Sequence, residues 1–376
     1  MKVLHLFSNY KFTGPADPAL VLASALKEIG VDVTFAAGRT PAGDRGVMEL
    51  ARERGLPLFE GLRLSKHGHP LAWIRDVVTL KRLLGRQHFD VVHTHLPNDH
   101  HIATTATQAT GTPVVRSLYD FAVPRGRRSR ISLDRTAALL APTTGAADEL
   151  SRVLPALRDR VSVVAPVLDL DRFHAIQNPE TRAGWGISPT DLVIGVVARM
   201  QLHRRFPELI EGFAQAARED LSLHLVILGR GTNQQIVAHD PAARSGVGER
   251  IHFPGYIDPA TYPTVLPAFD ALIFLVPGSD GTCRAMREAQ LSGVPVITTR
   301  RGLLPHLMAH DESGILLEKD TPAAIADAIR SLRSDEPRRR KLAGGAREFA
   351  LRHFDAKCAA ASTLEVYRSL TRGSSP

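Results

Sequence analysis

Short apolar runs alternate with amphipathic segments along the first half of the chain. Runs such as KVLHLF, residues 2–7, are typical of strands that are buried on both faces of a parallel sheet. Segments such as LAWIRDVVTLKRLLG, residues 71–85, carry apolar residues at helical spacing. Strands are predicted over 2–7, 31–37, 89–95, 112–118, 137–142 and 161–166, and helices over 19–30, 46–55 and 71–85. This alternation predicts an α/β fold with a parallel sheet covered by helices.

Residues 167–191 interrupt the alternation with mixed polar, proline and glycine residues, which is typical of a linker between domains. The alternation then restarts. Strands are predicted over 192–199, 223–229, 251–255, 271–276, 295–299 and 314–318, and helices over 207–219 and 283–293. We therefore expect two Rossmann-like domains, residues 1–175 and 176–355, and a C-terminal helix, residues 356–376, that packs back on the first domain. Two such domains facing each other would form a deep cleft.

Composition narrows the class of protein. A length of 376 residues fits two domains. No apolar run approaches the roughly 20 residues of a membrane span, and the start MKVLHLF is typical of a strand and not of a signal peptide. The two cysteines, Cys283 and Cys358, share no spacing that suggests a zinc site or a disulfide framework. These features predict a cytoplasmic protein.

The net charge of +8 arises mostly in residues 1–175, where 23 Lys/Arg oppose 17 Asp/Glu. Its densest part is VPRGRRSR, with Arg125, Arg127, Arg128 and Arg130 in one predicted loop. Aromatic residues that would stack on bases are not interleaved there, which argues against nucleic acid as a partner. The patch fits an anionic membrane surface or a phosphate-bearing substrate, and equally a solvated arginine-rich loop.

Two carboxylates follow the strand predicted over 271–276. Asp280 lies just past the strand end, and Glu288 lies inside the helix that Gly281 and Thr282 open. A helix start offers unpaired amides and a partial positive charge, which suit an anionic ligand. Carboxylates beside such a site are suited to accepting hydrogen bonds from hydroxyl groups, although an exposed N-cap Asp and a solvent-facing Glu have the same spacing.

Arginines follow the strand predicted over 192–199. Arg199 ends the run, and Arg204 and Arg205 come in the next turn. Guanidinium groups offer fixed donors that match phosphate oxygens. An ordinary basic loop after a strand has the same composition, but the nearby acids favour a phosphate-bearing ligand.

The run HTHLPNDHH contains four histidines, two of which a strand would place on one face. His93 and His95 could hold a metal ion, could contact a substrate, or could be ordinary polar residues at a strand end. The four histidines are His93, His95, His100 and His101.

Several segments, in order, resemble family 4 retaining glycosyltransferases, which have the GT-B fold of two facing Rossmann-like domains. ARMQLHRRF and PGSDGTCRAMREAQLSGVPV resemble the Arg…Lys and Glu-seven-Glu motifs of that family. GPADPALVLASALKEIGVDVTFAA, FDVVHTHLP, VVAPVLDLDRF, VILGRG and IHFPGYI resemble other family segments, so that the likeness spans nearly the whole chain.

The resemblance implies a role for each matching residue. Arg199 and Arg204 would clamp the diphosphate of a nucleotide sugar, and Asp280 would accept hydrogen bonds from the transferred sugar. The amides of Gly281, Thr282 and Cys283 would contact phosphate, Glu288 would hold the ribose, and Gly255 and Tyr256 would lie near the base. Gly14 corresponds to the N-terminal glycine loop, and His93, His95, Tyr119 and Asp120 would lie on the acceptor side.

No metal and no cofactor is implied beyond the nucleotide-sugar donor. The acceptor would be a glycolipid, a lipopolysaccharide or a polysaccharide intermediate at the cytoplasmic side, with the basic N-terminal domain against anionic lipid.

The chain departs from the family pattern at five positions. Asp280 replaces the usual first Glu, Arg204 replaces Lys, Cys283 replaces a Gly, Pro15 replaces the second Gly of a pair, and Tyr119 replaces His. Pro15 has no amide to donate, and Cys283 adds bulk where the backbone would approach phosphate. These changes leave open a non-catalytic subunit that binds nucleotide sugar or acts as a scaffold. A GT-B epimerase or phosphorylase is a further alternative, disfavoured by the Asp280 and Glu288 pattern.

Overall fold

The chain divides into two compact units in a computed structural model that describes residues 1–41, 43–66, 69–124, 126–176, 178–278 and 281–372. Unit 1 contains Met1–Leu168 together with the C-terminal segment from Asp355, and unit 2 contains Asp169–Phe354. The division after Leu168 comes seven residues before the predicted domain end at residue 175.

Unit 1 is built on a six-stranded parallel sheet. The strands are β1 (Lys2–Phe7), β2 (Asp32–Ala37), β3 (Val91–Thr94), β4 (Val114–Ser117), β5 (Ala138–Ala141) and β6 (Val161–Val163). The helices are α1 (Ala16–Glu28), α2 (Val47–Glu53), α3 (Pro70–Arg86), α4 (Pro97–Ala106), α5 (Arg127–Asp134) and α6 (Thr144–Val153). The strand order is β2-β1-β3-β4-β5-β6, so the chain crosses from one side of β1 to the other between β2 and β3, and the order reverses at the neighbouring strands β1 and β3.

Unit 2 holds a second six-stranded parallel sheet. Its strands are β7 (Leu192–Val197), β8 (Leu223–Leu228), β9 (Ile251–Gly255), β10 (Ala271–Phe274), β11 (Val296–Thr299) and β12 (Gly314–Leu317). Its helices are α7 (Pro179–Gly184), α8 (Phe206–Ala217), α9 (Asp240–Arg244), α10 (Tyr262–Val265), α11 (Arg284–Leu291), α12 (Pro322–Ser334) and α13 (Glu336–His353). The strand order is β12-β11-β10-β7-β8-β9, and the chain direction across the sheet reverses between β7 and β10.

Apolar strands explain both cores. In unit 2 the side chains of Ile194, Leu225 and Ile273 are fully buried and pack with Phe213 of α8 and Ile329 of α12. Both faces of each sheet are covered, because the strands carry the near-continuous apolar runs of a parallel sheet. The prediction of two doubly wound α/β units is confirmed.

The helical C-terminus is two helices and not one continuous segment. Helix α13 ends at His353 in unit 2, and helix α14 (Ala356–Arg372) belongs to unit 1. Ala360 and Tyr367 of α14 are fully buried in the same apolar cluster as Leu20 and Leu26 of α1. Helix α14 therefore packs on α1 within unit 1.

The arginine-rich run after β4 was predicted to be a loop, and that prediction is wrong for its second half. Arg127, Arg128 and Arg130 lie on helix α5 with exposed side chains, and Arg125 lies outside the described residues. The helix forms because Ser132 and Leu133 are buried, Leu133 in a small apolar cluster with Leu118 and Leu139. Tertiary packing, and not local propensity, decides the conformation here.

Candidate active site

The reversal of strand order in unit 2 brings two predicted segments together. Arg199 and Arg204 follow β7, and the segment from Gly281 to Glu288 follows β10, the strand that pairs with β7. Open α/β sheets bind ligands outside the carboxyl ends of their strands, at the point where strand order reverses. The two motifs that sequence analysis singled out separately thus flank one such point.

Arg204 joins the loop after β7 to the end of β10. Its Nη1 donates a 2.9 Å hydrogen bond to the carbonyl oxygen of Val276, and its guanidinium carbon lies 5.9 Å from the centre of the Phe274 ring. Arg199 is exposed on the same loop. Asp280, predicted to contact the sugar, lies outside the described residues.

The start of α11 follows directly. Gly281 has a φ of 70°, in the left-handed region that favours glycine, and Thr282 is buried. Cys283 is the N-cap residue of α11, is 1% exposed and has a φ of 48°. Its thiol donates to the carbonyl oxygen of Gly281 at 3.3 Å. A cysteine therefore occupies a left-handed position at which glycine would be unstrained, which gives a conformational reason for the usual glycine there.

Glu288 is buried one turn into α11. Its Oε1 lies 3.2 Å from Nε of Arg284, the residue four positions earlier, and its side chain is 2% exposed against 33% for that of Arg284. The buried hydroxyl of Tyr262 lies near the Glu288 carboxyl group. Its burial, chiefly, and the charge of Glu288 raise the pKa of that hydroxyl well above its usual value. The Glu288 carboxyl group thus lies between an arginine and a phenol.

The loops after β8 and β9 complete the same edge of the sheet. A Cβ on Gly229 would lie 2.3 Å from the carbonyl oxygen of Ala198, and a Cβ on Gly231 would lie 2.2 Å from that of Met200. These two glycines therefore let the β8 loop pack against the segment that carries Arg199. Beyond them, the guanidinium carbon of Arg230 lies 4.7 Å from the centre of the Tyr256 ring.

Tyr256 is 58% exposed and follows Gly255 at the end of β9. The predicted pair Gly255 and Tyr256 therefore lies on the same sheet edge as Arg199 and Glu288.

A hydrogen-bonded histidine cluster lies at the corresponding reversal point in unit 1. His5 of β1 pairs in register with His93 of β3, and His95 follows immediately. The rings of His93 and His95 stack with centres 4.6 Å apart, and His5 Nδ1 lies 3.0 Å from His95 Nε2. The predicted shared face of His93 and His95 is confirmed, and His5 is a third member that sequence analysis missed.

Two hydroxyl groups anchor His93 from opposite sides. Its Nδ1 is hydrogen-bonded to the hydroxyl of Tyr367 on α14, and its Nε2 lies 2.8 Å from Ser117 Oγ. Because His93 is fully buried and both of its ring nitrogens are engaged, it supports the cluster from inside the unit.

His95 connects the cluster to Tyr119. Its Nδ1 lies 2.6 Å from the Tyr119 hydroxyl, and burial raises the pKa of that hydroxyl. The next residue, Asp120, is half-buried and accepts a hydrogen bond from the amide of Ala122 at 3.2 Å. Tyr119 and Asp120 lie beyond β4, at the same sheet edge as the histidines.

Burial keeps the three imidazoles neutral. It lowers the pKa of His5 to about 3 and that of His93 and His95 well below their usual range, with the neighbouring histidines adding to the effect. Their nitrogens lie within 4.8 Å of one another, so that they could together contact one metal ion. An ion would take one nitrogen of each ring, so that His93, both of whose ring nitrogens are engaged, would exchange its hydrogen bond to either Tyr367 or Ser117 for the metal.

Asp99 fixes the loop that carries His95. Its carboxylate accepts hydrogen bonds from the amides of Ser8, His95 and Leu96 at 2.6, 3.0 and 2.9 Å. Burial, the largest influence, raises its pKa to about 6. Gly14, predicted to lie near the ligand, is half-buried in the turn before α1.

Two protein-family models match the chain, one over each unit. Residues 19–172 match the model described as Glycosyltransferase Family 4, and residues 177–349 match the model described as Glycosyl transferases group 1. The chain belongs to the family 4 glycosyltransferases. It is therefore a transferase, and the two matched segments correspond closely to its two units.

Individual relatives of this glycosyltransferase extend over the whole chain. A D-inositol 3-phosphate glycosyltransferase of Xylanimonas cellulosilytica is 27% identical and covers 94% of this chain and 91% of the relative. Among solved structures, a glycosyltransferase of Rickettsia africae has a TM-score of 0.81 at 16% identity, covering 99% of both chains. Anabaena HepE in complex with UDP has a TM-score of 0.80 at 18% identity and covers 98% of this chain and all of HepE. The predicted GT-B fold is confirmed.

At the carboxyl edges of its two sheets the glycosyltransferase also contains residues that the sequence did not single out. Arg230, Tyr262 and Arg284 lie beside predicted residues, and His5 and Asp99 organise the loop that carries His95. Only Arg284 had a local signal, because residues four apart are neighbours on a helix surface.

Proposed function

We propose that this glycosyltransferase moves a sugar from a nucleoside-diphosphate sugar to an acceptor with retention of the anomeric configuration. The observation that carries the proposal is the convergence of Arg199, Arg204 and the start of α11 at the reversal point between β7 and β10. Cationic side chains and a helix N-terminus, with its partial positive charge, together form a site for a diphosphate.

Arg199 and Arg204 bind the diphosphate and stabilise the negative charge that develops on it as the sugar leaves. The amides of Gly281, Thr282 and Cys283 contribute from the helix start, that of Gly281 by giving up the 2.9 Å hydrogen bond that it donates to the carbonyl oxygen of Gly278. Asp280 accepts hydrogen bonds from hydroxyl groups of the transferred sugar. No metal and no organic cofactor has a part in this proposal, because the arginines and the helix supply the positive charge.

Glu288 holds the ribose hydroxyls. A carboxylate offers about four lone-pair sites, so that a ribose diol can share the Glu288 carboxylate with Arg284 and with the Tyr262 hydroxyl. Tyr256, stacked against Arg230 and adjacent to Gly255, offers an aromatic face and a cation to the base.

Unit 1 supplies the acceptor-side groups. Tyr119 and Asp120 contact the acceptor, His95 positions the Tyr119 hydroxyl, His93 supports His95 from within the unit, and Gly14 lets the loop before α1 approach the substrate. In the transfer step the acceptor oxygen forms a bond to the anomeric carbon on the face from which the diphosphate departs. The anomeric carbon–oxygen bond to phosphate breaks, and the acceptor proton passes to the departing phosphate oxygen.

Two sets of comparisons support the substrate classes. HepE, which has the same fold, has been solved with UDP, with UDP and glucose, and with UDP-glucose, which favours a nucleotide-sugar donor. The acceptor we propose is a glycolipid, lipopolysaccharide or polysaccharide intermediate at the cytoplasmic face of the membrane. An inositol phosphate is a second candidate acceptor, because relatives at 25–29% identity are named D-inositol 3-phosphate glycosyltransferases.

A thermal-shift screen against nucleoside diphosphates and their sugars tests the donor. We expect one nucleoside diphosphate and one of its sugars to raise the melting temperature. The stabilising nucleotide sugar is then incubated with the protein and an acceptor panel, including inositol 3-phosphate, and both diphosphate release and the anomeric configuration of the product are followed by NMR. Inversion of the configuration would contradict retention, and the absence of any shift across the panel would contradict the donor assignment.

A further inference from the structure

Helix α3 carries apolar residues on two opposite faces. One face, with Ala72, Leu80 and Leu84, is buried in unit 1. The other exposes Leu71, Ile74 and Val78, whose side chains are 73%, 53% and 40% accessible. At 3.6 residues per turn, these three lie within about 60° of one another around the helix axis. They form a continuous apolar stripe that the described residues of this chain leave uncovered.

Every charged residue exposed on α3 is basic. Arg75, Lys81, Arg82 and Arg86 are exposed, and they lie on both sides of the apolar stripe. The one acid of the helix, Asp76, is 1% exposed and accepts hydrogen bonds from the amides of Arg63 and Leu64 at 2.8 and 2.9 Å. The accessible face of α3 is therefore apolar in its centre and positive at its edges.

Helix α5 extends this positive character. The guanidinium carbon of Arg128 lies 5.6 Å from the centre of the Trp73 ring, so that this arginine of α5 contacts α3. Arg127 and Arg130 are exposed on the same helix, and Ile131 adds an apolar side chain that is 42% accessible. We call the exposed residues of these two helices the α3–α5 surface.

We propose that the α3–α5 surface docks the enzyme on an anionic lipid bilayer, with Leu71, Ile74 and Val78 entering the region between headgroups and acyl chains. An amphipathic helix that lies in the membrane plane combines these two features, an apolar stripe and flanking Lys/Arg. Each cation near an anionic surface strengthens binding roughly fivefold. The α3–α5 surface supplies several such cations, from both helices.

The chemistry of the surface distinguishes a bilayer from other partners. A nucleic acid would engage the cations and leave the apolar stripe in water. A second copy of this chain would place like charges against one another across a symmetric interface, which opposes association. None of the helices within the described residues is long and apolar enough to cross a membrane. The inference is independent of the donor and acceptor assigned above.

Co-sedimentation of the full-length protein with vesicles tests the proposal. Vesicles of phosphatidylcholine with phosphatidylglycerol are compared with vesicles of phosphatidylcholine alone. We expect the wild-type protein to bind the anionic vesicles and to be released by high salt. The apolar variant Leu71→Gln/Ile74→Gln/Val78→Gln and the charge variant Arg75→Gln/Arg82→Gln/Arg128→Gln should each bind roughly tenfold or more weakly. The changed positions are exposed, so both variants should keep the wild-type circular dichroism and nucleotide-induced thermal shift.

A matched control carries three exposed apolar residues elsewhere, Val153→Gln/Leu221→Gln/Leu351→Gln. It should bind vesicles as the wild-type protein does. Equal loss in the control, wild-type binding by the folded apolar variant, or no binding of the wild-type protein to anionic vesicles would each overturn the proposal. A concentration-dependent dimer in analytical ultracentrifugation that the apolar variant abolishes would assign the surface to a second copy instead. Because nucleotide binding is measured separately, failure here leaves the donor assignment unaffected.

Discussion

The carboxylate of Glu288 lies 3.2 Å from the guanidinium Nε of Arg284, one turn earlier on α11. The arginine side chain is one-third exposed whereas that of the glutamate is almost entirely buried, so the exposed cation lies over the buried acceptor. A ligand hydroxyl can approach Glu288 where the arginine side chain moves. The proposed ribose contact therefore lies at a buried carboxylate, and the ribose would reach it on the side that Arg284 covers.

Replacing Glu288 with Gln tests this contact. The change keeps the shape of the side chain but removes a charge-assisted hydrogen bond of about 1.5–3 kcal/mol, so affinity for the nucleoside diphosphate should fall roughly ten- to hundredfold. Isothermal titration calorimetry measures the loss. Glu365→Gln, an exposed position on α14, is the matched control and should bind as wild type does. Unchanged nucleotide affinity of Glu288→Gln would remove the ribose role.

Replacing Tyr119 with Phe separates the acceptor side from the donor side. Without the hydroxyl that His95 holds at 2.6 Å, transfer to the acceptor should fall about tenfold, the worth of one hydrogen bond. Affinity for the nucleoside diphosphate should not change, because that ligand is assigned to unit 2. Steady-state kinetics at saturating donor provides the comparison. A lower melting temperature with normal acceptor kinetics would instead make Tyr119 a structural residue.

Acidification should destabilise unit 1 through the buried histidines. Burial lowers the pKa of His5 from its ordinary value of 6.5 to about 3, so below pH 6.5 the unfolded chain binds a proton at His5 that the folded chain does not bind. Stability is therefore lost as the pH falls from 6.5 towards 3, by about 1.4 kcal/mol at pH 5.5 for His5 alone. The lowered pKa values of His93 and His95 act in the same direction.

Asp99 acts in the opposite direction, because its pKa is raised to about 6 and protonation favours the folded chain. Urea unfolding at pH 7.5 and 5.5 measures the balance. His5→Leu removes one titrating group, and the stability lost between the two pH values should be smaller by about 1.4 kcal/mol than for the wild-type protein. An identical loss in both proteins would show that His5 is protonated in the folded state.

The hydrogen bond between Tyr367 and His93 should hold α14 against unit 1. Tyr367→Phe leaves a buried ring nitrogen without its partner, which costs about 1–3 kcal/mol. Chemical unfolding provides the measurement, and Tyr10→Phe at a half-buried position is the control. A loss no larger than that of the control would show that apolar contacts alone dock α14.

Local patterns predicted much of this molecule. The strands were visible because parallel sheets bury both faces, and the arginine and carboxylate segments were visible because they follow strand ends. The sequence predicted only part of the histidine cluster. His93 and His95 are neighbours in sequence, whereas His5 joins them only through the pairing of β1 with β3 across 90 residues. No local signal encodes that register.

Helix α5 shows the opposite failure. Gly126 and the arginines favour a loop by composition, and only the burial of Ser132 and Leu133 against other elements makes the segment a helix. The α3–α5 surface was invisible for the same reason. A helical pattern of apolar residues shows that α3 is amphipathic, but tertiary packing decides which apolar residues remain exposed.

Arg199→Ala tests the central claim most directly, with Arg244→Ala, another exposed arginine of unit 2, as the matched control. Release of nucleoside diphosphate from the stabilising nucleotide sugar is measured for both variants, together with their melting temperatures. We expect Arg199→Ala to fold as the wild-type protein does but to release no diphosphate, while the control keeps wild-type turnover. A folded Arg199→Ala protein that turns over at the wild-type rate would contradict the diphosphate site between β7 and β10.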